Sequence, residues 1–116
     1  MKRAVVSALE DIKAQDIETL DVRKMTALFD FMIISSAEST RQTKALAAHV
    51  QEKLREKGAV VYGVEGEQTG EWVLIDLGRI VVHVMQPAIR AHFGLEHLWG
   101  ANTNTLTSRK ANKARV

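Results

Sequence analysis

EWVLIDLGRIVVHVMQP, residues 71–87, reads as two strands joined by a tight turn. With Leu77 and Gly78 as the central turn residues, the glycine supplies the positive φ that a two-residue hairpin requires. Ile75 then faces Ile80, Leu74 faces Val81, Val73 faces Val82 and Trp72 faces His83. Side chains alternate between the faces of a strand. One face of this hairpin is therefore Val73, Ile75, Ile80, Val82 and Val84, all β-branched aliphatics suited to a core beneath helices. The other holds Trp72, Leu74, Asp76, Arg79, Val81, His83 and Met85. This mixed face is either a second buried layer with a polar fringe or a half-open binding surface. Trp, Met and Arg are the residue types enriched where proteins meet. Asp76 and Arg79 flank the turn and are expected to pair.

Working outward, Val5, Val6, Leu9 and Ile12 recur at helical spacing and predict a first helix over about 2–14. This basic start runs into Glu10, Asp11 and Lys13 with no small-residue cleavage site, so it reads as an amphipathic helix and not a signal peptide. IETLDVRKM suits a short strand near 19–23, and LFDFMIISS (28–36) a buried one. Leu46, Val50 and Leu54, with Ala47 and Thr43, form the stripe of a helix over about 40–57. Ser39 and Gln42 fit a capping box at its start, and Gly58 suits its end. AVVYGVEG (59–66) predicts a third strand. Pro87 suits the first turn of a last helix, with Gly94 placed to bend or break it. The order α-β-β-α-β-β-β-α implies one α/β (α+β) domain, a five-stranded mixed sheet with flanking helices, over residues 1–100.

The 116 residues suit one domain, and no apolar run of about 18 residues could cross a membrane. There is no cysteine, which fits a reducing cytoplasm. The net charge of +2 hides an asymmetry. Residues 1–99 carry 12 Lys and Arg against 14 Asp and Glu, so the predicted domain is slightly acidic. Residues 101–116 are polar, without apolar period, and carry Arg109, Lys110, Lys113 and Arg115 with no acid; they read as a basic, disordered tail.

Catalytic signals are thin. Neither GxGxxG nor GxxxxGK[ST] nor GxSxG occurs. His92 and His97 are five apart, which on a helix points them about 140° apart, whereas zinc-binding helix pairs use a four-residue step. His49 reads as a helix-surface residue and His83 as a half-buried strand residue with a hydrogen-bond partner. Asp30 and Asp76 sit in the most apolar contexts, where a carboxylate could act as a base or ligand, or cap a turn or pair with Arg41 or Arg90. No second carboxylate stands two residues from either, so a paired-acid metal site lacks support. Arg41 and Lys44 at a helix start could meet a phosphate, but capping and a solvated face explain them better. We expect no catalytic residue, metal, cofactor or small-molecule substrate.

LFDFMIISSAESTRQTKALA together with EWVLIDLGRIVVHVMQPAIRAHFGLEHLWG resembles the ribosomal silencing factor family, also called Iojap-like. Asp30, Phe31, Met32, Ile33, Ile34, Ser36, Arg41 and Gln42 match its first segment. Trp72, Leu74, Ile75, Asp76, Gly78, Val82, His83, Val84, Pro87, Arg90, Phe93, Leu95, Glu96, Leu98 and Trp99 match its second. Phe93 stands where Tyr is usual, Met85 where Phe is common, and Arg79 where an acid is common. The resemblance implies a nucleotidyltransferase-like topology without an active site. It implies a cytoplasmic, non-enzymatic protein that binds the large ribosomal subunit through its fourteenth protein and blocks joining of the small subunit. Translation is thereby repressed when nutrients are scarce, with a possible role in large-subunit assembly. It also implies a homodimer when free. On this reading the partner-binding residues are Trp72, Leu74, Asp76, His83, Met85, Arg90, Phe93 and Glu96, with Trp72 as anchor and Trp99 assigned to packing. Two alternatives are kept: a nucleotidyltransferase-like enzyme, and an RNA-binding module using the basic tail for weak contact.

Overall fold

A computed structural model describes residues 1–100, with the side chains of residues 99 and 100 left out. The tail at 101–116 and the packing role of Trp99 therefore lie outside what is described. The elements are α1 (Lys2–Asp11), β1 (Gln15–Asp21), β2 (Phe31–Ser36), α2 (Thr40–Glu56), β3 (Gly63–Glu65), β4 (Trp72–Asp76), β5 (Ile80–Met85), α3 (Pro87–Phe93) and α4 (Leu95–Gly100). The sheet order is β1-β2-β5-β4-β3. β2 and β5 run parallel at its centre, and every other neighbour pair is antiparallel. This is the mixed five-stranded sheet that the sequence implies. The two central strands are nearly continuous apolar runs because helices or loops cover both of their faces.

α1 and α2 pack on one face. Val5, Leu9, Leu46, Val50 and Leu54 meet Ile33, Val73, Ile75, Ile80, Val82 and Val84, all buried. This is the aliphatic face read from the hairpin. α2 is held at both ends by local chemistry. Ser39 Oγ accepts the Gln42 amide at 3.1 Å. At the far end Gly58 takes φ +88°, its amide donates to Arg55 O at 2.9 Å, and the Ala59 amide donates to Leu54 O at 2.9 Å. Those two bonds form a Schellman motif, which satisfies carbonyls the helix end leaves free.

Several boundaries differ from the sequence reading, each for a physical reason. β1 starts earlier than the expected 19, in the polar run Gln15-Asp16, where the register shifts and Asp16 adopts φ 50°. A bulge of this kind hides a strand from any alternation rule. β2 starts at Phe31 and not 28, because Leu28 is 78% exposed and the Asp30 and Phe31 amides both turn to Arg79 O. β3 is three residues and not eight. It is the sheet edge, and Val60 and Tyr62 before it are exposed. The last helix breaks at Gly94, which takes φ 58° and donates its amide to Arg90 O, so α3 and α4 are separate.

The hairpin turn is also displaced. The Leu77 amide donates to Ile80 O at 2.9 Å, so Gly78 and Arg79 are the central residues. Gly78 carries φ +92° at the first of them, where a two-residue hairpin favours glycine. Trp72 therefore pairs with Met85, Leu74 with His83 and Asp76 with Val81. Moving the turn by one residue shifts the partners by two, so each side chain keeps its face. Leu77 is not a turn residue but a buried member of the main core.

Candidate partner-binding face

The mixed face of the sheet is divided. On the β1–β2 side it is closed. Leu20, Val22, Met32, Ile34 and Met85 form a second buried cluster, covered by Met25 and Phe29 from the β1–β2 connection, by Ile89 from α3 and by Leu95 from α4. On the β3–β4 side it is open, and Trp72, Leu74 and Asp76 all keep partial exposure. The edge strand adds to it. Glu65 is opposite Leu74 in register, so the exposed carboxylate lies on the same face. Glu65 is not among the residues expected here, because its face is set by how β3 pairs with β4.

Trp72 is the centre of an aromatic group. Its indole Nε1 donates to His83 Nδ1 at 2.9 Å. Its ring lies 4.9 Å from that of Phe93 in a tilted arrangement, and His92 meets Phe93 edge-on at 4.9 Å. Phe93 is 52% exposed. The result is a partly exposed aromatic ledge fixed from below by a hydrogen bond. An indole only donates, so His83 Nδ1 must accept and the ring's proton sits on Nε2.

His83 is 5% exposed, and burial pushes its pKa down to about 4. The indole bond favours the neutral ring further. Between about pH 6.5 and pH 4 the unfolded chain binds a proton that the native chain refuses. Stability is thus full above 6.5 and lost as pH falls towards 4, by about 3 kcal/mol for this residue. In His83→Gln, carboxylate titrations remain while this one disappears. Denaturation midpoints from pH 7 to 4 should therefore fall more steeply for the wild type; parallel curves would contradict a buried neutral His83.

The remaining candidates take different places. Met85 has no exposed surface and lies in the second cluster, beneath the face and not on it. Arg90 is 9% exposed. Its Nε donates to Glu96 Oε2 at 2.6 Å and its Nη1 to Asp16 O at 2.7 Å and Ser36 Oγ at 3.0 Å. It ties α3 and α4 to the ends of β1 and β2. Asp76 accepts the Gly78 amide at 2.8 Å and steadies the turn. The expected Asp76–Arg79 pair does not form. Arg79 instead reaches Asp30, with Nη2 to Oδ1 at 2.6 Å, and that guanidinium holds the Asp30 carboxyl below its usual range. Asp30 thus pairs with neither Arg41 nor Arg90. His49 bonds Asp11 at 2.9 Å, joining α2 to α1. No group of three His, Cys, Asp or Glu among the described residues could hold a metal ion. No helix among them is long and apolar enough to cross a membrane.

The open half of the face is aromatic at one end, at Trp72 and Phe93, and carries the carboxylates of Asp76 and Glu65. The family model described as "Ribosomal silencing factor during starvation" matches residues 1–116. A "Ribosomal silencing factor RsfS" of Chromobacterium violaceum is 51% identical over 100 residues, covering 86% of this chain and 82% of that one. Its Bacillus subtilis counterpart is 35% identical, covering 84% and 83%. The chloroplastic protein Iojap of Zea mays is 32% identical over 86% of this chain and 43% of its own. A crystal structure from Chromobacterium violaceum superposes with a TM-score of 0.85 at 47% identity, covering 96% of this chain and 92% of that one. The chain belongs to the ribosomal silencing factor family.

Proposed function

We propose that this protein binds the large ribosomal subunit in the cytoplasm through its fourteenth protein and blocks joining of the small subunit. The observation that carries this reading is the open half of the mixed sheet face, where Trp72 stands between His83 and Phe93. A single tryptophan held by packing and one hydrogen bond is the kind of anchor that dominates protein interfaces. Leu74 extends the contact, and Asp76 and Glu65 supply negative charge, while Glu96 is paired with Arg90. Such charge steers and orients a basic ribosomal protein. His83, Met85 and Arg90 act beneath the contact by holding Trp72 and α3 in place.

The mechanism is occlusion and needs no bond-making step. A 12.9 kDa domain seated on the subunit-joining surface competes with the small subunit by volume alone. Translation falls as its occupancy rises, which suits a response to scarce nutrients. One relative, from Mus musculus, is named "Mitochondrial assembly of ribosomal large subunit protein 1", which favours a second use in large-subunit assembly. The free chain is proposed to form a homodimer. Titration calorimetry against the isolated fourteenth protein tests the contact. We expect one-to-one binding with a Kd of about 1 µM or tighter, weakened by salt. No heat at any salt would contradict this partner.

A further inference from the structure

The end of the sheet where β2 and β5 begin lies opposite the Trp72 end. It carries a different chemistry. Lys2 Nζ sits 4.2 Å from the centroid of the Phe31 ring, and the Arg23 guanidinium 5.2 Å from it. Lys2, Arg3, Phe31 and the paired Asp30 and Arg79 line a hollow of about 400 Å³. On the other side of the turn Tyr62 is 68% exposed, its ring so close to Gly78 that a Cβ there would stand 2.9 Å from Tyr62 Cε2. Asp21 neutralises Arg23 and Asp30 neutralises Arg79. Lys2 and Arg3 are exposed and have no carboxylate partner among the described residues.

We propose that this end is a second interaction surface that takes a single-stranded RNA segment, with phosphates on Lys2 and Arg3 and a base on Tyr62. Two unpaired cations and an exposed ring at one end of the sheet suit a strand that offers both phosphate and a flat base. An acidic peptide would answer the cations and leave Tyr62 unused. The surface lies at the opposite end of β4 and β5 from Trp72, so both could be occupied at once. It goes beyond the protein contact proposed above and does not depend on it.

The test is fluorescence anisotropy of a labelled oligouridine of about 12 nucleotides with the full chain, over about 50–200 mM salt. In K2E/R3E we expect affinity to fall about tenfold or more and the log–log salt slope to shrink by about 1.4, the share of two phosphate contacts. In Tyr62→Ala we expect a loss of about fivefold to tenfold with the slope unchanged, since stacking releases no counterions. In R109Q/K110Q/K113Q/R115Q we expect most of the affinity to remain. No binding by the wild type, unchanged binding in K2E/R3E, or loss confined to the tail variant would overturn the proposal. Equal affinity for a polyglutamate of the same length, unaffected by Tyr62→Ala, would overturn it too. K2E/R3E should keep the calorimetric signal with the fourteenth protein, so failure here is separable from failure there.

Discussion

We expect Trp72→Ala to abolish detectable binding to the large subunit while the domain stays folded. Truncating a central aromatic anchor typically removes about 2–4 kcal/mol, a factor of about 30 to 1,000 in affinity. Trp72 suits that role because its position is fixed before any partner arrives. His83 holds the indole nitrogen and Phe93 flanks the ring, so little freedom is left to lose on binding. The change is survivable for the fold. Trp72 is at the open side of the face and outside the main core, and its removal leaves one buried acceptor, His83 Nδ1, unmet, at about 1–2 kcal/mol. Trp72→Phe separates the parts, keeping a ring and losing the bond to His83. Sedimentation with the large subunit, alongside thermal melting, gives both numbers. Full binding by a folded Trp72→Ala would remove Trp72 from the contact.

The second large effect falls on stability. Arg90→Ala should lower the unfolding free energy by about 3 kcal/mol. The guanidinium is nearly buried and serves three acceptors at once, on Glu96, Asp16 and Ser36. Removing it strands a carboxylate and two further oxygens, and frees α3 and α4 from the strand ends. Arg90→Lys should recover little, because an ammonium cannot reproduce the planar fork. Urea denaturation reads the loss. A change under about 0.5 kcal/mol, the usual range for a surface substitution, would show that the network holds nothing together.

The hairpin shows what was legible in the sequence and why. The expected turn lies one residue too early, yet the strand residues keep their expected faces, because strand side chains repeat every two residues; only Arg79, expected on the mixed face, is a central turn residue. α2 was equally plain, since its stripe, its Ser39 cap and its Gly58 stop all agree. The polar start of β1 was not legible, for its bulge breaks alternation. Nor was Arg79's partner, which lies 49 residues earlier, while an acid three residues away offered a simpler pairing. Within the candidate site, membership of the mixed face was readable but depth was not. Met85 and Trp72 are cross-strand partners on one face, yet Met85 is fully buried and Trp72 is not. That difference is set by α3, α4 and the β1–β2 connection folding over only half of the sheet.

This division of the sheet also explains why so small a domain can hold an aromatic ledge in water. The aliphatic face supplies the main core, and the second cluster fixes α3 in place, so Phe93 and Trp72 are left out without loss of the fold. This partly exposed aromatic surface is what the proposed partner would cover. Under the proposed function, the carboxylates of Asp76 and Glu65 on the same face favour a basic partner.

Sucrose-gradient sedimentation of purified ribosomal subunits with this protein added tests the central claim most directly. The protein should travel with the large subunit, and the joined-ribosome peak should fall as its concentration rises. Unchanged joining, with the protein left at the top of the gradient, would contradict occlusion by this chain.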